Sequence, residues 1–161
     1  MLRYGRRRRT AERRKLPLMK TGKLDAAHVE RLSRALASVP FAKHLGIELE
    51  EIESGVATLG FEVKPELKQN HGVVHGGAIA SLIDSATAFA IISVLPVDEH
   101  ATTVDLSISY LRPLTKGRAR ATARVLRSGK RLIAVSAELF DDAGNLAATA
   151  LSTYIKIQPP S

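Results

Sequence analysis

Gln69-Asn70-His71-Gly72-Val73-Val74-His75-Gly76-Gly77 runs straight into Ala78-Ile79-Ala80-Ser81-Leu82-Ile83-Asp84-Ser85-Ala86. A polar loop with glycines opens an apolar helix, and Gly76 and Gly77 stand where that helix begins. The first N–H groups of a helix lack intrahelical partners, and the aligned peptide dipoles place about half a positive charge there. Such an end suits an oxygen that gains negative charge, and glycine lets a ligand approach the backbone. From Ala78 to Leu95 the pattern is apolar nearly all round, and Asp84 is the only charged residue. A helix of this kind is buried, and a buried carboxylate is costly unless it is paired. The apolar run is close to the lower length limit for a membrane span. Ser81, Asp84, Ser85 and Thr87 interrupt it and strand patterns flank it, so a buried central helix is expected instead.

Working outward, residues 44–53 and 56–63 read as two strands turning at Glu53-Ser54-Gly55, with a long loop over 64–76. Four strand patterns follow the helix. Residues 101–111 alternate, with Val104, Leu106, Ile108 and Tyr110 sharing a face. Residues 117–127 set Ala119, Ala121, Ala123 and Val125 against Arg118, Arg120, Thr122 and Arg124. Residues 131–140 align Ile133, Val135, Ala137 and Leu139, and residues 146–157 close the series. Ser128-Gly129 and Asp141-Asp142-Ala143-Gly144-Asn145 mark hairpin turns. Leu24, His28, Leu32 and Leu36 recur every four residues, so 24–38 reads as a short helix ending before Pro40. Two strands, a long helix and four strands make an α+β fold, one sheet on one helix.

The net charge of +8 belongs to the first twenty residues, which hold nine basic residues against Glu12; the rest balances at fifteen of each sign. Residues 1–22 are expected to be a basic, disordered tail and 23–161 a single domain. A nucleic-acid role would rest on that tail alone. There is no cysteine, so no disulfide framework, thiolate nucleophile or Cys-ligated zinc is available. This fits a reducing compartment, and with no secretory signal pattern the expected location is cytoplasmic. His71 and His75 stand four apart, but they lie in a loop without a third imidazole or thiolate at hand; no metal and no cofactor is expected.

Gln69, then His75-Gly76-Gly77, then an acid nine residues after His75, resembles the hotdog-fold acyl-CoA thioesterases over residues 44–157. An Asp at the acid position is similar to the phenylacetate-pathway (PaaI-like) and THEM-type branch; the 4-hydroxybenzoyl-CoA branch usually carries Glu there. The resemblance implies an antiparallel five- to six-stranded sheet wrapped around one long central helix. It implies a homodimer with a continuous sheet, paired into a homotetramer. It also implies hydrolysis of acyl-CoA, with the Gly76 amide polarising the thioester carbonyl and Asp84 acting as general base or nucleophile. By the same resemblance Gln69 holds the nucleophile or the carbonyl, with Asn70 beside it. His75 supports the loop and the Gly76 amide, Gly77 lies next to the carbonyl site, and Thr103 positions water. Ala88 stands where some branches carry Ser or Thr, which excludes that variant. Tyr110 falls among substrate contacts, and Arg127, Ser128, Gly129, Lys130, Arg131 and Leu132 resemble the hairpin that holds CoA.

Physical reasoning agrees on three points. Turn amides with clustered Arg and Lys suit phosphate. Val73, Val74 and Leu82 are apolar residues expected to line an acyl pocket. Gly76 and Asp84 are eight residues apart, about 12 Å along a helix axis, too far to act on one carbonyl. The resemblance implies how that distance is resolved: the helix start of one subunit faces the acid of its neighbour, giving two composite sites per dimer. A non-catalytic acyl-CoA-binding protein is the main alternative. A hotdog dehydratase is weaker, because no histidine follows Asp84 within the helix.

Overall fold

The computed structural model describes residues 22–157; the basic tail lies almost wholly outside them. Helix α1 (Ala26–Ser38) opens on Asp25, whose carboxylate accepts the His28 N–H at 2.7 Å, and Leu32 and Leu36 bury its inner side. Pro40 not only follows α1 but also starts a second helix, α2 (Pro40–Leu45), because proline's fixed φ suits the first helical turn. The expected first strand therefore loses its opening residues. Helix α2 ends on Gly46 at φ 72°, a left-handed cap that favours glycine.

Strands β1 (Glu48–Glu53) and β2 (Val56–Glu62) form a hairpin, and the 64–75 loop leads into α3 (Gly76–Ile92). Strands β3 (His100–Tyr110), β4 (Arg118–Ser128), β5 (Leu132–Phe140) and β6 (Leu146–Ile157) follow. Together they make one six-stranded antiparallel sheet in the order β1-β2-β4-β5-β6-β3. Helix α3 packs chiefly on β4, β2 and β5. Small side chains permit this: Ala57, Ala119, Ala121, Ala123, Ala137 and Ala148 line the inner face and are buried. Leu82, Ile83, Ala86 and Ala90 of α3 fill the space above them with no exposure. Each large apolar side chain so buried contributes about 1.5–3 kcal/mol. Helix α3 stops at Ser93 rather than Leu95. The Ser93 hydroxyl bonds the Ala90 carbonyl and accepts the Gly55 N–H, tying the β1–β2 turn to the helix end.

Two departures bear on the site. The opposite side of α3 is not buried: Gly77 is exposed and Ala80, Ser81, Asp84, Ser85 and Ala88 are half-buried. The helix thus has one open stripe of small and polar residues. In β3 the alternation breaks at a bulge between Thr103 and Asp105. Val104 is the extra residue and is 55% exposed, so it does not share a face with Leu106 and Ile108. The bulge turns Thr103 inward onto the side of Leu106 and Ile108, as bulges beside functional sites commonly do.

The basic run of 112–131 also divides. Arg118 bonds Glu48, Glu50 and Glu62, and Arg120 bonds Glu50 and pairs with Asp142. The hydrogen bond to Glu50 comes first among the causes that raise the Arg118 pKa above its ordinary value. Basic β4 lies near acidic β1 and β2, so this part of the charge is neutralised within the sheet. Among the described residues no helix is long and apolar enough to cross a membrane.

Candidate active site

The start of α3 is built by its own histidine. His75 is the N-cap, and its Nδ1 accepts the Gly77 N–H at 2.9 Å. The neutral ring then carries its proton on Nε2. A Cβ on Gly77 would lie 2.9 Å from that Nδ1, so a glycine belongs there. The His75 carbonyl accepts the N–H groups of Ala78 and Ile79. The Gly76 N–H is left without a hydrogen bond among the described residues. His75 therefore secures the amide of Gly77, one residue beyond the expected Gly76, and leaves Gly76 as the free donor. Tyr110 closes over this end, its hydroxyl donating to the Gly76 carbonyl at 3.1 Å. Gln69, Val73, Gly76, Ile79, Tyr110 and Arg112 are among the residues lining a cavity of about 310 Å³. Asn70 is exposed on the loop and does not line it.

Two turns along α3 lies a second cluster. Thr103 Oγ1 donates to Asp84 Oδ1 at 3.1 Å. Tyr154, 3% exposed on β6, places its hydroxyl 3.3 Å from both Asp84 Oδ1 and the Asp84 carbonyl and 2.8 Å from Thr87 Oγ1. Thr87 Oγ1 in turn bonds the Asp84 carbonyl at 2.9 Å. Asp84 Oδ2 makes no hydrogen bond among the described residues and, since no buried side-chain oxygen there lacks a partner, it keeps access to solvent. Burial raises the Tyr154 hydroxyl above the usual tyrosine range, so it is a neutral donor at neutral pH. The arrangement can hold a carboxylate in one rotamer with one oxygen free toward solvent, the geometry a base needs.

Sequence reasoning missed Tyr154 and Thr87. Their signal was present: Thr87 follows Asp84 by three residues on a helix, and Tyr154 shares parity with inward Ala148, Ala150 and Ser152 on β6. A hydroxyl in a row otherwise made of small residues has to find a polar partner beneath the helix.

The third group is the β4–β5 turn. Arg127, Gly129, Lys130, Arg131 and Leu132, with Thr153, surround a surface cavity of about 510 Å³, which Ser128 adjoins. None of these cations is ion-paired among the described residues. Strand register places the turn at the Asp84 end of the sheet, since Ser128 pairs with Ile133, Ile133 with Tyr154, and Tyr154 with Thr103. Tyr110 pairs with Ala148, and Ala148 with Leu139, at the opposite end. The structure thus brings Asp84 and Thr103 together, and separately Gln69, Gly76 and Tyr110. Within one chain it does not bring the two groups to one point. Leu82 is fully buried against the sheet and does not line the cavity at the helix start, whereas Val73 and Val74 do. A cavity of about 210 Å³ lies elsewhere, lined by apolar Ala88, Ile91, Ile92, Leu95 and Ala101, by Tyr154, and also by Arg31, Glu99 and His100.

Residues 71–148 match the family model of the thioesterase superfamily. The chain is 32% identical over 127 residues to a putative esterase of Saccharolobus solfataricus, covering 79% of this chain and 84% of that one. It is also 32% identical to the medium/long-chain acyl-CoA thioesterase YigI of Salmonella typhimurium, over 73% of this chain and 85% of the relative. Among solved structures, the PaaI protein of the Escherichia coli phenylacetic acid degradation operon superposes with a TM-score of 0.74 at 26% identity. That match covers 81% of this chain and 94% of the other. A conserved protein of Pseudomonas aeruginosa gives 0.73 at 29% identity, over 78% and 99%. The His75-Gly76-Gly77 helix start and the acid at Asp84 lie within the matched residues 71–148, and the chain belongs to the thioesterase superfamily, as a PaaI-like hotdog thioesterase.

Proposed function

We propose that this protein hydrolyses acyl-CoA thioesters to a carboxylic acid and CoA, with each active site shared by two subunits. The observation that carries the proposal is the Asp84 carboxylate, held through Oδ1 by Thr103 and open at Oδ2 on the exposed stripe of α3. Its similarity to acyl-CoA thioesterases at 32% identity supports the substrate class.

Hydrolysis proceeds at the thioester carbonyl carbon. Asp84 takes a proton from water as the water oxygen bonds to that carbon. The carbonyl oxygen becomes an oxyanion and is met by the Gly76 N–H of a second subunit at its helix start. Collapse breaks the carbon–sulfur bond and releases the CoA thiolate. Attack by the Asp84 carboxylate itself would instead form an anhydride, which water then opens. Label in the Asp84 side chain after a single turnover in ¹⁸O-water establishes the second route, with water opening the anhydride at the Asp84 carbonyl carbon.

The second subunit docks through β3 and the open stripe of α3. Two edges compete for that role. Strand β1 has six residues, of which Glu48, Glu50, Glu51 and Glu53 are acidic, and edge charges of this kind oppose pairing. Strand β3 has eleven residues, with Asp105 its one acidic residue. Joining two β3 edges about a two-fold axis would extend the sheet and run the two α3 helices antiparallel, bringing Gly76 of each toward Asp84 of the other. Two such dimers would pair into a tetramer. In this reading Gln69, Asn70 and Gly77 border the carbonyl, Tyr110 contacts substrate, and Arg127, Ser128, Gly129, Lys130, Arg131 and Leu132 hold the CoA phosphates and pantetheine. The acyl tail enters the cavity at Ala88 and Ala101, one turn beyond Asp84. At ~30 Å³ for each water-sized group, that 210 Å³ space suits a medium-length chain.

The test is thiol release from a panel of acyl-CoA esters by the wild type and by Asp84→Asn. Turnover by the wild type, lost in a folded variant, supports the reading. Binding of acyl-CoA without turnover of any ester supports the non-catalytic alternative.

A further inference from the structure

We infer that Tyr154 is a positioning residue for Asp84, delivering a hydrogen bond from beneath α3 that holds the carboxylate by Oδ1 and leaves Oδ2 open. The inference rests on the reading of Asp84 as the reacting acid.

The hydroxyls around Asp84 carry few protons for the bonds they face. Thr87 and Tyr154 each own one. Three acceptors compete for them: the Asp84 carbonyl, Asp84 Oδ1 and whichever hydroxyl does not donate to the other. Three arrangements keep the short Thr87–Tyr154 bond. In one, Thr87 donates to the Asp84 carbonyl and Tyr154 donates to Thr87. In the other two, Thr87 donates to Tyr154, and Tyr154 donates either to the Asp84 carbonyl or to Asp84 Oδ1, both 3.3 Å away. A charged Asp84 draws the arrangement that ends on Oδ1, because a hydrogen bond to an ionised acceptor is the stronger one. Thr103 already donates to the same Oδ1, so both donors converge on one oxygen. That leaves Oδ2 as the basic site facing solvent. Tyr154 suits this role because it is buried, its ring is fixed among the core residues of the sheet and α3, and its hydroxyl stays protonated at neutral pH.

Other charged groups on the elements packed here are placed otherwise. Lys156 of β6 is tied to Glu99 at 2.8 Å. Glu99, His100 and Arg31 of α1 stand at the neighbouring cavity, and Asp105 of β3 is exposed. From β5 the register partner of Tyr154 is apolar Ile133. None of these groups makes a hydrogen bond to Asp84, so Thr103 and Tyr154 supply its side-chain donors.

A donor to the charged form of an acid lowers its pKa, and removing the donor raises it. The experiment follows the Asp84 carboxyl directly, by ¹³C NMR titration of protein labelled at aspartate side chains, with Asp84→Asn to assign the signal. Tyr154→Phe keeps the ring and removes the hydroxyl. The Asp84 midpoint is expected to move up. In turnover, kcat falls about tenfold, the low end for a hydrogen bond to a charged group, KM changes less than twofold, and the acidic limb of kcat/KM moves up in step. Thr87→Val shifts the same quantities in the same direction by less, and Thr87→Ser restores them. An unmoved Asp84 midpoint in folded Tyr154→Phe overturns the inference, whatever the activity. Undiminished turnover by Asp84→Asn overturns the underlying reading of the acid instead, and a moved midpoint would still show the bond.

Discussion

The two functional stations of α3 are built in opposite ways. At the helix start the working group is backbone: a free Gly76 N–H, framed by a histidine that caps its neighbour and a tyrosine on its carbonyl. Two turns on, the working group is a side chain, Asp84, braced by hydroxyls from β3 and β6. The first station offers a hydrogen to a negative oxygen; the second can take a proton. Within one chain the two do not meet, and about 12 Å of helix separates them. Such a spacer between complementary halves favours shared sites over closure within one chain. The difference between the sheet edges points the same way, with β1 defended by glutamates and β3 long and nearly uncharged.

Substitutions at the two stations should separate their roles. Asp84→Asn keeps the size of the side chain and removes the base; kcat is expected to fall about 10²–10⁴-fold, the usual contribution of a positioned base. At the other station Gly76→Pro removes the N–H while keeping the helix, since proline suits the first helical position and His75 already has the extended backbone that precedes proline. The nearest atoms to a Cβ at Gly76 belong to Tyr110, at 3.5 Å and beyond, ordinary van der Waals contact. Loss of one oxyanion donor is expected to cost about 10²–10³ in kcat. Circular dichroism and thermal melts check that both variants fold. A small effect of Gly76→Pro on kcat would remove the helix start from the chemistry and end the comparison.

The cavities sharpen it further. Leu82→Ala, in the closed core, is expected to lose about 2–5 kcal/mol of stability in denaturant unfolding, with chain-length preference unchanged. Ala88→Leu, at the mouth of the cavity beyond Asp84, should do the reverse. It should lower kcat/KM for medium-length acyl-CoA about tenfold or more while sparing acetyl-CoA, since each methylene excluded from an apolar site forfeits ~0.8 kcal/mol. Equal losses across chain lengths would place the acyl tail elsewhere. The smallest effect is expected at the β4–β5 turn. Lys130→Ala and Arg131→Ala should each raise KM about threefold to tenfold, less at high salt, with kcat kept.

Much of this was legible in the sequence because two periodicities carry the fold. The alternation of Ala119, Ala121, Ala123 and Val125 and that of Ile133, Val135, Ala137 and Leu139 hold along their strands. The loop into Ala78–Ala86 marks the helix and its start. What was hidden depends on irregularity or on pairing between distant segments. The bulge at Val104 reverses the parity of β3, and nothing local announces it. Pro40 served as the end of one helix, although the same fixed φ let it begin another. The segregation of acidic β1 and basic β4 was visible, but their ion pairs follow from strand order, which composition does not encode. Tyr154 escaped notice because its partner lies seventy residues away, on a helix read as apolar nearly all round.

Shared sites are tested most directly by mixing subunits. Asp84→Asn and Gly76→Pro chains, each inactive alone, are unfolded together, refolded and assayed for thiol release, with mixed dimers verified by native mass spectrometry. In a mixed dimer one site receives the intact Gly76 of one chain and the intact Asp84 of the other, while its sister site receives neither. Random assortment then restores about one quarter of wild-type activity in a two-fold dimer. Mixed dimers that form and stay inactive would contradict the account, because each half of the chemistry would have to come from the same chain.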